Sequence, residues 1–187
     1  METILFETTG PDNTENTLIG AFNRSNDLGI LDIILATRTG ATAKKALKIF
    51  DTYKYNIVAV THVTGYKSPG KQEMSNQVRK ELQIEGMNII SSGHPFGGIG
   101  RGIRNKLGTY QVDEIIAYTL RMFGQGIKVG VEISIMSADA GMIKTGCQVI
   151  AIGGTISGAD SAMVLTPANS HNFLNTVIHE IIAKPRL

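Results

Sequence analysis

Tryptophan is absent from the 187 residues, and there is a single cysteine. One thiol, Cys147, excludes an internal disulfide and any multi-cysteine zinc site. Cys147 precedes the apolar run Gln148, Val149, Ile150, Ala151, so it reads as a small residue at a strand edge. Charge is also sparse, with 18% charged residues and a formal net charge of +2. No dense basic stripe accompanies that small excess, which argues against a nucleic-acid partner. Nor is there an apolar run of about 18 residues to span a membrane, or a charged-then-apolar start of signal-peptide type. The expectation is a cytoplasmic protein with neither a membrane nor a nucleic acid as partner. The four histidines, His62, His94, His171 and His179, have no i, i+4 pairing and no neighbouring carboxylate cluster, so no metal site is expected.

What is present is an ordinary globular composition, 42% hydrophobic with 21 glycines, and a length that suits a single domain over residues 1–187. Apolar runs alternate with helical patterns through the first half. Residues 3–7 read as a short strand. Asn13 stands where it can cap a helix over residues 14–27, whose Leu18, Ala21, Phe22 and Ser25 share a face and which Gly29 ends. Strands follow at 30–36, 57–61 and 88–91, separated by helices at about 42–50 and before Gly86. This is a βαβαβ order with parallel strands and right-handed crossovers. Residues 93–108 hold six glycines and read as a long loop, and residues 109–123 as a helix with Ile115, Ile116, Thr119, Leu120 and Phe123 on its apolar side. Residues 129–140 are ambiguous, since β-branched alternation favours a strand while helical spacing and Gly141 favour a helix. Two strands at 147–152 and 161–166, only eight residues apart, form a hairpin, so the last core strand is antiparallel. Residues 177–182 add a further short strand or helix.

The most informative stretch is Thr37, Arg38, Thr39, Gly40, Ala41, Thr42, which follows the apolar strand Ile33, Ile34, Leu35, Ala36 and opens a helix. A helix start leaves N–H groups unpaired and adds a partial positive charge, and three threonine hydroxyls with a glycine complete a phosphate cradle. Simple helix capping by one of the threonines accounts for part of this pattern. Other motifs are weaker. Gly65 to Lys71 matches the glycine–lysine part of a nucleotide-triphosphate loop, but Gln72 replaces the magnesium-binding hydroxyl and Pro69 removes an N–H. Gly98, Gly100 and Gly102 lack dinucleotide-loop spacing. His62, Thr64, Gly65 and Tyr66, after the second core strand, are candidates to border a flat ring, with an ordinary surface turn as the alternative. His94 lies at the equivalent end of the third. Glu132 and Asp139, seven apart, would share a helix face and could form an acid pair. Asp160 could accept from backbone N–H groups of the glycine loop before it. Arg101, Arg104 and Lys106 could reach an anion or remain a solvated basic loop.

The turn at Thr37, Thr39, Gly40 and Thr42, the loop Gly153, Gly154, Ser157, Gly158, and the order of elements between them resemble the C-terminal domain of pyruvate kinase. Pro11 with Asn13 and Thr14, the run Met136, Ser137, Ala138, Asp139, Gly141, and Gly158, Ala159, Asp160 are similar to a free-standing, chiefly archaeal family of such domains. The resemblance implies a three-layer αβα fold with core strand order 3-2-1-4-5, and it favours the helix over residues 129–140. It implies a ligand in the crevice between the first and fourth core strands. In pyruvate kinase this turn holds a phosphate of the allosteric sugar bisphosphate, and the free-standing family is associated with flavin mononucleotide (FMN). The implied cofactor site is Thr37, Thr39, Gly40, Ala41 and Thr42 for the phosphate, with His62, Thr64, Gly65, Tyr66, Gly153, Gly154, Ser157, Gly158 and Asp160 around the rest. The catalytic barrel has no counterpart here, so phosphoenolpyruvate chemistry is not expected. Three readings stay open: an FMN-binding protein, in one form a flavin-dependent oxidoreductase; a regulatory module sensing a phosphorylated metabolite; and a homo-oligomeric interaction protein, as the related domain helps to build a tetramer.

Overall fold

The computed structural model describes residues 2–186. Its elements are β1 (Ile4–Phe6), α1 (Thr14–Leu28), β2 (Asp32–Ala36), α2 (Ala41–Ala46), β3 (Asn56–Val60), α3 (Asn76–Ile84), β4 (Asn88–Ile90), α4 (Ile99–Leu107), α5 (Val112–Arg121), α6 (Gln125–Asp139), β5 (Val149–Gly153), β6 (Ser161–Thr166) and β7 (Val177–Pro185). One sheet runs β1-β7-β6-β5-β2-β3-β4. The five consecutive strands β4-β3-β2-β5-β6, with β4 at one edge of the sheet, have the expected 3-2-1-4-5 order, and β6 is antiparallel to β5. Residues 177–182 belong to the strand β7, which pairs antiparallel with β6 and parallel with β1.

The central strands are buried along nearly their whole length because both faces are covered. Alternation then splits the core in two. Ile33, Leu35, Ile57 and Ile152 point to the side of α1, α2 and α3, where they meet Leu18, Ala43 and Leu82. Ile34, Val58, Val149 and Ala151 point to α5 and α6, against Ala117, Ile127, Val131 and Ile135. The result is the three-layer αβα arrangement. No helix among the described residues is long and apolar enough to cross a membrane.

Four local expectations need correction. Asn13 does not cap α1: residues 11–13 form a 3-10 turn that leaves Asn13 itself near helical geometry, and its amide donates to Thr8 O at 2.7 Å. The second helix ends at Ala46 rather than Phe50, although turn bonds continue, with the Phe50 N–H donating to Ala46 O at 2.9 Å. The glycine-rich stretch 93–108 is not all loop, for it contains α4. Gly100 serves packing there, since a Cβ would run into the Asp113 carboxylate of α5. On α5 the buried positions are Glu114 and Ala117, with Ile116 and Leu120 packed behind them, while Ile115 and Phe123 are exposed. Gly29, at φ 66°, does end α1 as expected.

α6 is the helix the resemblance favours, and it lies unusually close to the sheet. A Cβ on Gly153 would collide with Gly126 O, one on Gly126 with the Ser161 side chain, and one on Gly130 with the Met163 terminus. The Gly153 neighbours are backbone and cannot yield, so Gly153→Ala should cost about 3 kcal/mol in urea denaturation. Gly20→Ala is the control, because the one close contact of its Cβ would be the flexible tip of Ile4 at 2.8 Å, with Ile182 at an ordinary 3.6 Å. It should change stability by less than about 1 kcal/mol.

Candidate functional site

A cavity of about 410 Å³ opens where β2 and β5 end side by side. Connections leave these two parallel strands in opposite directions, which is what parts the backbone and makes a crevice. Thr37, Thr39, Ala41 and Thr42 line one end of it. Thr37 and Thr42 are buried, and the Thr37 hydroxyl accepts from the Gly40 N–H at 3.1 Å. The first helical bond of α2 is Lys44 N–H to Gly40 O at 2.9 Å, so the N–H groups of Ala41, Thr42 and Ala43 have no helical acceptor. With only six residues, α2 offers little dipole, and these N–H groups, the hydroxyls and nearby cations are the stronger donors. Gly40 is not part of the lining: at φ 96° it faces α3, where a Cβ would strike Val78.

Gly154, Ser157 and Gly158 line the facing wall, together with the exposed Ile156, a non-glycine residue at φ 63°. Gly153 and Asp160 stand behind that wall. Asp160, fully buried, accepts through Oδ2 from the N–H groups of Gly10 (3.0 Å) and Thr155 (3.1 Å), and through Oδ1 from the Ser161 hydroxyl (2.9 Å). It shapes the loop instead of touching the cavity. Thr64 and Gly65 also lie outside the lining, in a loop closed by Gly65 N–H to Lys71 O at 2.9 Å.

His62 and Tyr66 do line the cavity, as does His94. The rings of His62 and Tyr66 are 4.1 Å apart, and those of Tyr66 and His94 are 5.5 Å apart and within 18° of parallel. Arg101, from α4, sits 5.8 Å over the Tyr66 ring. On the other side Glu73 joins His62 Nδ1 at 2.7 Å to Arg38 at 3.6 Å.

The floor carries groups that the sequence signalled only weakly. Lys128 and Glu132, one turn apart on α6 and both about 4% exposed, form an ion pair inside the cavity. Glu132 Oε1 also accepts from the Phe96 N–H at 3.0 Å, and its other oxygen lies 3.9 Å from His94 Nδ1. His94 Nε2 accepts from the Val63 N–H at 3.1 Å, which leaves the proton of the neutral ring on Nδ1, facing Glu132. Burial pushes the Lys128 amine below the usual lysine range, against the pull of Glu132. Burial likewise lowers His94; Glu132 opposes, while His62, Lys128 and Arg101 add to the effect. The acid pair expected of Glu132 and Asp139 does not form, because Asp139 accepts from Asn169 and Ser170, each at 3.0 Å. Arg104 pairs with Glu114 at 3.0 Å outside the cavity. Arg38, Arg121 and Lys128 were not singled out by the sequence. The recognisable trace was a Lys and a Glu four apart in an otherwise apolar helix.

The family model of the pyruvate kinase alpha/beta domain matches residues 15–165. The chain belongs to that family. Every residue that lines the cavity, from Ala36 to Gly158, falls within the match. Two solved pyruvate kinase structures from Cryptosporidium parvum are similar to this alpha/beta domain. They are 17% and 16% identical over 83% and 81% of it, with TM-scores of 0.45 and 0.40. The chain spans 23% and 21% of those two proteins, under a quarter of their length.

Two measurements check the geometry of this domain. A lowered His94 pKa means that the folded state prefers the neutral ring, so stability should fall as pH drops from about 6.5 towards the folded-state value. His94→Gln should flatten that part of the pH–stability curve, and the His94 ring protons should titrate below 6.5 by NMR. Asp160→Asn removes the buried charge and exchanges one of its two acceptor oxygens for a donor, and should cost about 2 kcal/mol in chemical denaturation.

Proposed function

We propose that this chain binds a phosphorylated ligand with a flat ring, and that the ligand is FMN. Its phosphate would lie on the hydroxyls of Thr37, Thr39 and Thr42 and the N–H groups that begin α2. One observation carries the reading: a single cavity joins those donors, at one end, to the aromatic wall of His62, Tyr66 and His94. The donor set fits the group, since N–H and hydroxyl donors suit a dianion, and Val129, Ile133 and Met136 add apolar surface for a ring system. FMN, when bound, supplies hydride and electron transfer. The residues of this chain supply anchorage and a water-poor floor.

A second reading is favoured by the surplus of cations. Arg38, Arg101, Arg121 and Lys128 all line the cavity, more than one phosphate needs. A smaller, more highly charged phosphorylated metabolite, sensed by a regulatory module, suits that surplus.

Purified protein should take up FMN one-to-one, with a visible flavin spectrum, and bind riboflavin far more weakly. Thr39→Ala and Thr42→Ala should each weaken FMN binding at least about tenfold, from about 1.5 to 3 kcal/mol per hydrogen bond to a charged group. Calorimetry that finds FMN and riboflavin equal would remove the phosphate assignment. Displacement of FMN by sugar phosphates would favour the sensing role.

A further inference from the structure

Phosphate anchorage leaves the floor of the cavity unused, and the floor is the chemically unusual part. A lysine about 4% exposed, on a helix buried on almost every side, is costly to keep. A pair of apolar side chains would often fill the same volume at no greater cost. Lys128 and Glu132 do line it. We propose that the Lys128 amine condenses with the aldehyde or ketone carbonyl of a small phosphorylated compound held in this cavity. The inference rests on the phosphate anchorage proposed above for the turn at residues 37–42 and on the second reading, a smaller phosphorylated metabolite in place of FMN, whose class it names as a phosphorylated carbonyl compound.

The surrounding groups suit each stage of the reaction. Burial, with Arg121 and Arg101, disfavours the ammonium against the pull of Glu132, which is the direction that a nucleophilic amine requires. The amine nitrogen adds to the carbonyl carbon, forming the C–N bond. The carbonyl oxygen then leaves as water, carrying the two protons lost from nitrogen, and an imine remains. No oxidant or reductant is consumed. Glu132, already paired with Lys128, can hold the proton in transit and then serve as counter-ion to the protonated imine. His94 turns its Nδ1 proton towards Glu132 at 3.9 Å and adds to the polar surroundings that hold this carboxylate in place. The Phe96 ring, its centroid 5.7 Å from Lys128 Nζ, gives the amine an apolar neighbour on one side.

Borohydride trapping tests this on the native protein. The intact chain is incubated with glyceraldehyde 3-phosphate or with glyceraldehyde, reduced, and mapped by peptide mass spectrometry. The expected result is a reduced adduct mainly on Lys128, formed at least tenfold faster with the phosphorylated aldehyde. Excess inorganic phosphate should slow it, and Thr39→Ala/Thr42→Ala should remove the advantage. Lys128→Arg keeps the charge and should lose the adduct at that position with its thermal unfolding little changed. Modification of exposed lysines such as Lys67 and Lys71 with Lys128 untouched would overturn the proposal. Equal rates with the two aldehydes would overturn the anchorage and the ligand class together. The FMN and riboflavin titration reads that anchorage separately, so tight FMN binding with an unreactive Lys128 would sink the condensation alone.

Discussion

The approach of α6 to the sheet is the constraint from which the cavity follows. Gly126 and Gly130, one turn apart, let the helix rest on Ser161 and Met163, and Gly153 lets its first turn touch the end of β5. A Cβ at Gly153 or Gly126 would force helix and sheet apart, while one at Gly130 would have to displace the tip of Met163. Lys128 and Glu132 stand between and beyond those contacts, so their place on the cavity floor is set by glycines that never line it. Close packing thus acts at one remove, fixing charged groups by what is missing from their neighbours.

The crevice itself has a topological origin. β2 is flanked by β3 and β5, parallel to both, and the chain leaves its end towards α2 on one face while β5 receives its chain from α6 on the other. The loop after β5 must then turn back for the antiparallel β6, and it does so within eight residues. Asp160 makes that reversal stable by gathering N–H groups from residues 10 and 155, which would otherwise be buried without acceptors. The two walls of the cavity, more than a hundred residues apart, are therefore held by one strand pairing and one carboxylate.

This explains which parts could be read from the sequence. The strand into residues 37–42 was legible because strand, turn and helix start are local and each has its own residue signature. The glycine loop was legible for the same reason, and the role of Asp160 followed from its place at the end of that loop. α6 was not, because nearly all its residues from 126 to 138 are buried and a helix covered on all sides has no polar stripe to reveal its period. α4 was hidden because its glycines serve packing and flexibility alike, and composition does not separate the two uses. Thr64 and Gly65 were expected at the crevice because they follow a strand end, while their loop folds back on Lys71 and lies outside the cavity lining. Arg121 carried no signal, and Arg38 was visible only as a member of the threonine turn: each is an ordinary surface-type residue until the fold places it on the cavity lining.

The charges around the cavity then have a common logic. Glu73 is shared by Arg38 and His62, Glu132 by Lys128 and the Phe96 N–H, and Glu114 by Arg101 and Arg104. Each carboxylate is thereby committed to partners on the protein, and Arg121 donates to the neutral Gln125 at 2.7 Å. Repulsion of an incoming anion is low, because no carboxylate on the lining lacks a cation. Attraction persists, because the cations outnumber the acids that face the cavity. The field of such a lining favours anions over cations, and Lys128 is the one amine on it.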